Sequence, residues 1–112
     1  MTVLPLAPRD VLILAALVEE ERHGYGLIKA VEERSDGEVE LDPANLYRAL
    51  RRMQRDGWIR EVTSAADADA RRRTYAITAS GRAVLRREVE RLDQLLRQVR
   101  PALAGSGRSG RR

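Results

Sequence analysis

The sequence has no cysteine and no phenylalanine, and only one lysine, one histidine and one tryptophan among its 112 residues. Without cysteine there is no disulfide, no iron–sulfur cluster, no thiolate-ligated zinc and no thiol nucleophile. The four aromatic residues, Tyr25, Tyr47, Trp58 and Tyr75, are too few to fill a core, so Leu, Val, Ile and Ala must do so, and such a core suits helices. No apolar run approaches the roughly 20 residues of a membrane span. The opening MTVLPLAPRD has neither the basic head nor the apolar run of a secretion signal. The expected setting is the cytoplasm, with no membrane contact, for a soluble chain the size of one domain. Glycines 24, 26, 37 and 57 fall at predicted turns, 81 at the start of the last helix, and 105, 107 and 110 in the tail. None belongs to a phosphate-cradling or dinucleotide-binding pattern. No nucleophile with an adjacent base and no pair of acids stands out, so neither catalysis nor a cofactor is expected.

What the sequence has in excess is arginine, unevenly placed. Residues 1–42 hold four cations against ten anions, a net of −6, whereas residues 43–112 hold seventeen cations against seven anions, a net of +10. Every cation of the second part is arginine; the one lysine is Lys29. The planar five-donor guanidinium matches phosphate oxygens and guanine edges better than an ammonium does, so a polyanionic partner is the first expectation. The plain alternative is compositional bias, with arginine standing in for lysine on a solvated surface.

Leu4 and Leu6, interleaved with Pro5 and Pro8, predict an extended arm over residues 1–8. Val11, Leu12, Leu14, Ala15 and Val18 recur at helical spacing. A first helix is therefore expected from about Pro8 to Arg22, with Asp10 favouring its start and Glu19–Glu20–Glu21 closing it. A second runs from Tyr25 to about Arg34, burying Leu27, Ile28 and Val31 and stopping at Ser35–Asp36–Gly37. Val39 and Leu41 then alternate with Glu38, Glu40 and Asp42 over a short extended stretch. The third helix is the best signposted: Asp42 is a good N-cap, Pro43 suits the first helical position and Gly57 supplies the stop. Leu46, Ala49, Leu50 and Met53 form one stripe along it. The opposite face holds Ala44, Arg48, Arg51 and Arg55, flanked by Asn45 and Arg52.

After Gly57 the composition turns to strand formers, Trp58, Ile59, Val62 and Thr63, then Thr74, Tyr75, Ile77 and Thr78. The stretch from Ser64 to Arg73 has no apolar residue larger than alanine and ends in Arg71–Arg72–Arg73, which predicts a hairpin with a long, exposed, basic-ended loop. Thr78 or Ser80 can cap a last helix. Along it Leu85, Val89, Leu92, Leu96, Val99 and Leu103 make a heptad seam about 27 Å long at 1.5 Å per residue. With no further domain to cover, that seam is expected to bury itself on a second copy as a homodimer; the alternative is folding back over the first helix. Residues 104–112 are expected to be a disordered basic tail of Gly, Ser and Arg beyond Ala104.

Helix, helix, helix, strand, basic loop, strand is the order of a winged helix-turn-helix, whose third helix enters a DNA major groove while the hairpin lies along the backbone. The expected fold is mainly α with a small β-hairpin: a DNA-binding domain over residues 9–78 and a C-terminal dimerisation helix over 79–103. A groove about 12 Å wide admits one helix, and arginines on its outer face can contact guanine O6 and N7 or neighbouring phosphates. Such a face is often merely solvated. Here the third helix carries only one acid, Asp56, and lacks the carboxylates at i−4 that usually balance solvated arginines. The candidate contacts to double-stranded DNA are Ala44, Asn45, Tyr47, Arg48, Arg51, Arg52 and Arg55, with Arg71, Arg72 and Arg73 from the loop. Tyr47 sits between core and groove, equally suited to a phosphate contact and to packing. Trp58 and Tyr75 read as packing between wing and core.

Several short motifs stand together: His23–Gly24–Tyr25, Leu46–Tyr47–Arg48–Ala49–Leu50, Asp56–Gly57–Trp58–Ile59, Arg73–Thr74–Tyr75 with Ile77–Thr78, and Gly81–Arg82. In these the chain resembles the PadR-like transcriptional regulators over about residues 10–100. It departs from them at Asp42–Pro43–Ala44–Asn45, where the family commonly has Ser, a variable residue, Gly and then Thr or Ser. Asn45 can still hydrogen-bond a phosphate or an adenine edge, so the departure bears on which bases are read. The resemblance implies a homodimer on an inverted-repeat operator, usually as a repressor, with the C-terminal helix of each subunit packed on its partner. It also implies that Tyr25 points at the sugar–phosphate backbone, the alternative being a ring packed at the helix junction. A small-molecule effector belongs to the same picture. Family members respond to phenolic acids or hydrophobic drugs, but this last helix has no aromatic residue to stack one.

Two further readings compete. A winged-helix dimer could serve as a protein–protein interaction module whose arginines only solubilise it, and RNA binding is disfavoured by the scarcity of aromatic stacking platforms. Glu19 and His23 lie one turn apart but supply at most two metal ligands. Asp67 and Asp69 lack the glycine and closing glutamate of a calcium loop, so no metal is expected. The reading as a whole is a regulator found at the nucleoid when bound to DNA.

Overall fold

A computed structural model describes residues 4–62 and 73–109 of the chain. The elements in chain order are α1 (Pro8–Glu19), β1 (Arg22–His23), α2 (Gly24–Arg34), α3 (Pro43–Arg55), β2 (Ile59–Val62), β3 (Thr74–Ile77) and α4 (Ala79–Ser109). The fold is the expected one, mostly helical with a small antiparallel sheet.

Helix α1 stops three residues before Arg22. Its acidic C-terminal run opposes the helix dipole, and the Arg22 Nε–H donates at 3.0 Å to the Ala16 carbonyl, which also accepts the Glu20 N–H at 3.4 Å. Arg22 and His23 are thereby drawn into the sheet as a third strand that the hairpin reading did not contain. The order is β1-β3-β2, with Arg22 opposite Tyr75 and Ile59 opposite Ile77. Helix α3 is bounded as its residues demand. Asp42 caps its start, Gly57 takes φ of +81°, and the Gly57 and Trp58 N–H groups return to the Gln54 and Met53 carbonyls at 3.0 and 2.9 Å.

The core sits between the first three helices and the sheet. Ile13, Leu14 and Leu17 of α1 meet Leu27 and Val31 of α2 and Leu46, Leu50 and Met53 of α3. Leu6 from the N-terminal arm, Trp58, Tyr75 and Val84 close the edges. The arm is held by a buried charge: the Leu6 N–H donates to Glu88 Oε2 at 2.8 Å, and Arg91 forks onto both Glu88 oxygens at 2.6 and 2.9 Å. Those contacts hold the Glu88 carboxyl below the usual carboxylate range, Arg91 first and the Leu6 amide after it, against the opposing effect of burial.

Thr78 is the cap of α4, its hydroxyl accepting the Gly81 N–H at 3.0 Å and donating to the Gly57 carbonyl at 2.6 Å. The helix then leaves the domain and sets the 67 Å long dimension of a molecule 29 and 21 Å across. It also corrects an expectation: residues 104–109 continue the helix instead of beginning a disordered tail, and Pro101 lies inside it. Once a helix is nucleated each added residue costs little and gains a hydrogen bond, so Gly and Ser near its end do not stop it. Residues 110–112 of the expected tail, and Arg71 and Arg72 of the loop, lie outside the described residues.

Candidate nucleic-acid interface

Burying Leu46, Ala49, Leu50 and Met53 turns the other face of α3 outward, and Ala44, Arg48, Arg51 and Arg55 are all exposed on it. Arg51 and Arg55 make no hydrogen bond or ion pair with the described residues. Arg48 has one neutral partner: its Nη1 donates to Asn45 Oδ1 at 2.7 Å. The helix therefore presents three uncompensated guanidinium charges in a row.

Arg52 does not join them. Its Nη2 lies 2.5 Å from Asp10 Oδ2, on a carboxylate whose side chain is only 8% exposed, so this arginine binds α3 to the start of α1. Tyr47 is half-buried, packed on the core, with its hydroxyl over Gly24, where a Cβ would stand 2.5 Å from that oxygen. Its structural work is the α2–α3 crossing, where a side chain at position 24 would displace the Tyr47 ring from its present place. Tyr25, by contrast, is 68% exposed at the start of α2 and available to a partner. Arg73 is exposed beside Glu61, with Nε 3.5 Å from Oε2. The Tyr75 hydroxyl is pushed above its usual range by burial first and the Glu61 charge second. Glu19, which sequence spacing paired with His23, is taken by Arg34 and by Arg22, and Arg34 chiefly holds its carboxyl below the usual range.

The second surface is on α4. Leu85 is half-buried against the core of its own chain, but Val89, Leu92, Leu96, Val99 and Leu103 are exposed, the last at 69%. A groove of about 260 Å³ lined by Leu6, Pro8, Val11, Leu12, Glu88 and Leu92 adjoins this stripe. Among the described residues no helix is long and apolar enough to cross a membrane.

Residues 13–87 match the transcriptional regulator PadR-like family, a span running from α1 into α4. The chain belongs to the PadR-like family. Its members are transcriptional regulators, not enzymes. Among solved structures the chain is similar to a PadR family transcription regulator from Clostridium difficile, with TM-score 0.63 and 25% identity over 83% of this chain and 98% of that one. It shares the fold of Bacillus subtilis PadR, solved in complex with operator DNA, with TM-score 0.65 and 21% identity over 76% of this chain and 48% of that one. It is also 32% identical over 90 residues, 80% of its length, to an uncharacterized 37.1 kDa transposon protein of Streptomyces fradiae, of whose length it spans 24%.

Two residues of this PadR-like chain went unread in its sequence. Arg60 is exposed on β2, between buried Ile59 and half-buried Glu61, and the in–out alternation of a strand predicts as much. Leu95 is exposed beside Leu96, widening the α4 stripe beyond what strict heptad spacing picks out.

Proposed function

We propose that the chain is a sequence-specific DNA-binding regulator that represses transcription by holding an inverted-repeat operator as a homodimer. The row Arg48, Arg51 and Arg55 carries the reading: three exposed cations at helical spacing, opposite a buried stripe that fixes which way they face. In this reading α3 lies in the major groove, with Arg48 on a guanine edge and Arg51 and Arg55 on phosphates. Arg60 and Arg73 of the hairpin, with Arg71 and Arg72, follow the backbone, and Tyr25 meets it from α2. The operator complex of Bacillus subtilis PadR supports the choice of duplex DNA as partner.

The dimer rests on α4. An apolar stripe of Val89, Leu92, Leu95, Leu96, Val99 and Leu103 in water forgoes about 25 cal/mol for each Å² left uncovered, and a second copy of the helix covers it. Two-fold pairing sets the two α3 helices for successive major grooves, about 34–36 Å apart. A small molecule that favours a dimer of different spacing releases the operator.

The test is selection of bound fragments from random duplex DNA, followed by affinity against salt. A recovered palindrome, with affinity falling about 10³–10⁵-fold between 50 and 200 mM salt if 6–10 phosphates are neutralised, supports the reading. No enrichment decides instead for a protein–protein interaction module without specific DNA binding.

A further inference from the structure

We propose that Asn45 is a positioning residue that presents Arg48 to guanine and is itself held by Asp42, so that the cap of α3 and the choice of base are one device. This rests on the reading of α3 as the DNA-reading helix. Asp42 commits both carboxylate oxygens to one residue: Oδ1 accepts the Asn45 backbone N–H and Oδ2 accepts the Asn45 side-chain amide, each at 2.8 Å. With one amide N–H anchored on Asp42, the Asn45 carbonyl oxygen is turned along the helix, where it accepts Arg48 Nη1 at 2.7 Å. The three residues stand at i, i+3 and i+6, successive neighbours on one side of the helix.

The chemistry of the middle member matters. An amide oxygen orients a guanidinium without cancelling its charge, whereas a carboxylate there would neutralise it. Of the five N–H donors of Arg48, one is used by Asn45, leaving enough for a forked contact to guanine O6 and N7. Arg51 and Arg55 have no such support and are free to follow phosphates wherever the backbone runs. Arg48 alone of the three is ordered in advance. Immobilising a long side chain on binding lowers affinity about two- to tenfold, and a pre-ordered one is spared most of that.

The test compares the parent with Asn45→Ala, Asp42→Ser, Arg48→Ala and the double variant Asn45→Ala/Arg48→Ala. Each is measured against the selected operator and against single-base changes at every position. Serine caps a helix about as well as aspartate but has no second oxygen for the Asn45 amide, so Asp42→Ser frees that amide with α3 still capped. Arg48→Ala should abolish preference for one guanine in each half-site. Asn45→Ala and Asp42→Ser should each lower preference for that same guanine about two- to tenfold. Asn45→Ala should cost no further discrimination once Arg48 is gone. Additive losses in the double variant, a loss at an adenine instead, or unchanged preference in Asn45→Ala would each overturn the proposal. A parent that enriches no motif fails earlier, at the function itself.

Discussion

The α-carbon of Gly81 lies against the backbone carbonyl of Trp58, so closely that a Cβ at position 81 would stand 2.1 Å from the oxygen and 2.8 Å from the Ile77 side chain. The same carbonyl accepts the Thr78 N–H at 2.9 Å. The start of α4 is thereby seated on the turn that ends α3. No side chain can rotate out of a clash with backbone. Gly81→Ala is expected to destabilise the fold by about 1–3 kcal/mol or more, read as a lower midpoint in thermal or urea unfolding. An unchanged midpoint would mean that α4 is not seated this way.

Glu88 predicts an acid-sensitive arm. Replacing it with alanine strands the Leu6 amide and frees Arg91, at about 1–3 kcal/mol. The native carboxyl binds its proton less readily than the ordinary value of about 4.3 in an unfolded chain. Its contribution is therefore present above that value and is lost as pH falls through the lower native one. Unfolding midpoints measured from pH 6 down to pH 3 should fall less steeply for Glu88→Gln than for the parent.

Arg52 and Arg51, adjacent in sequence, should separate stability from binding. Arg52→Ala leaves the buried Asp10 carboxylate with only Arg9, whose Nε is 3.8 Å away, and should cost about 1–2 kcal/mol after allowance for the one-third exposure of Arg52. The operator motif it selects should be that of the parent. Arg51→Ala should leave the unfolding midpoint in place and reduce the salt slope of DNA binding by about 0.9 for each phosphate that is no longer neutralised. Equal effects of the two changes on the salt slope would put Arg52 back among the DNA-binding residues.

Leu96 is exposed far along α4, clear of the core of its own chain. Leu96→Glu should leave far-UV circular dichroism unchanged, shift sedimentation at micromolar concentration toward single chains, and weaken binding to a full inverted repeat far more than to an isolated half-site. A dimer that survives the change would place the interface elsewhere.

Much of this was legible in the residues. Asp42, Pro43 and Gly57 mark the ends of α3 because caps are local chemistry, and the arginine face follows from helical periodicity alone. Strand β1 was not legible: Arg22 and His23 have no strand propensity and become extended only because β3 offers an unpaired edge. Nor could spacing show that Arg52 turns toward Asp10, a residue 42 positions earlier, since that pairing exists only after α1 and α3 pack. Glu88 reads as one more polar position on a charged helix until the arm is folded over it. These three misses share a cause, pairings between residues remote in the chain, whereas the continuation of α4 past Ala104 is local helix propagation.

Trp58, the one tryptophan, is 8% exposed where the end of α3, the start of β2 and the first turn of α4 meet. Its fluorescence is thus an intrinsic optical gauge of the junction between α3 and α4. A ligand that alters that junction should announce itself in the emission spectrum with no dye attached, which makes the native protein its own screening assay.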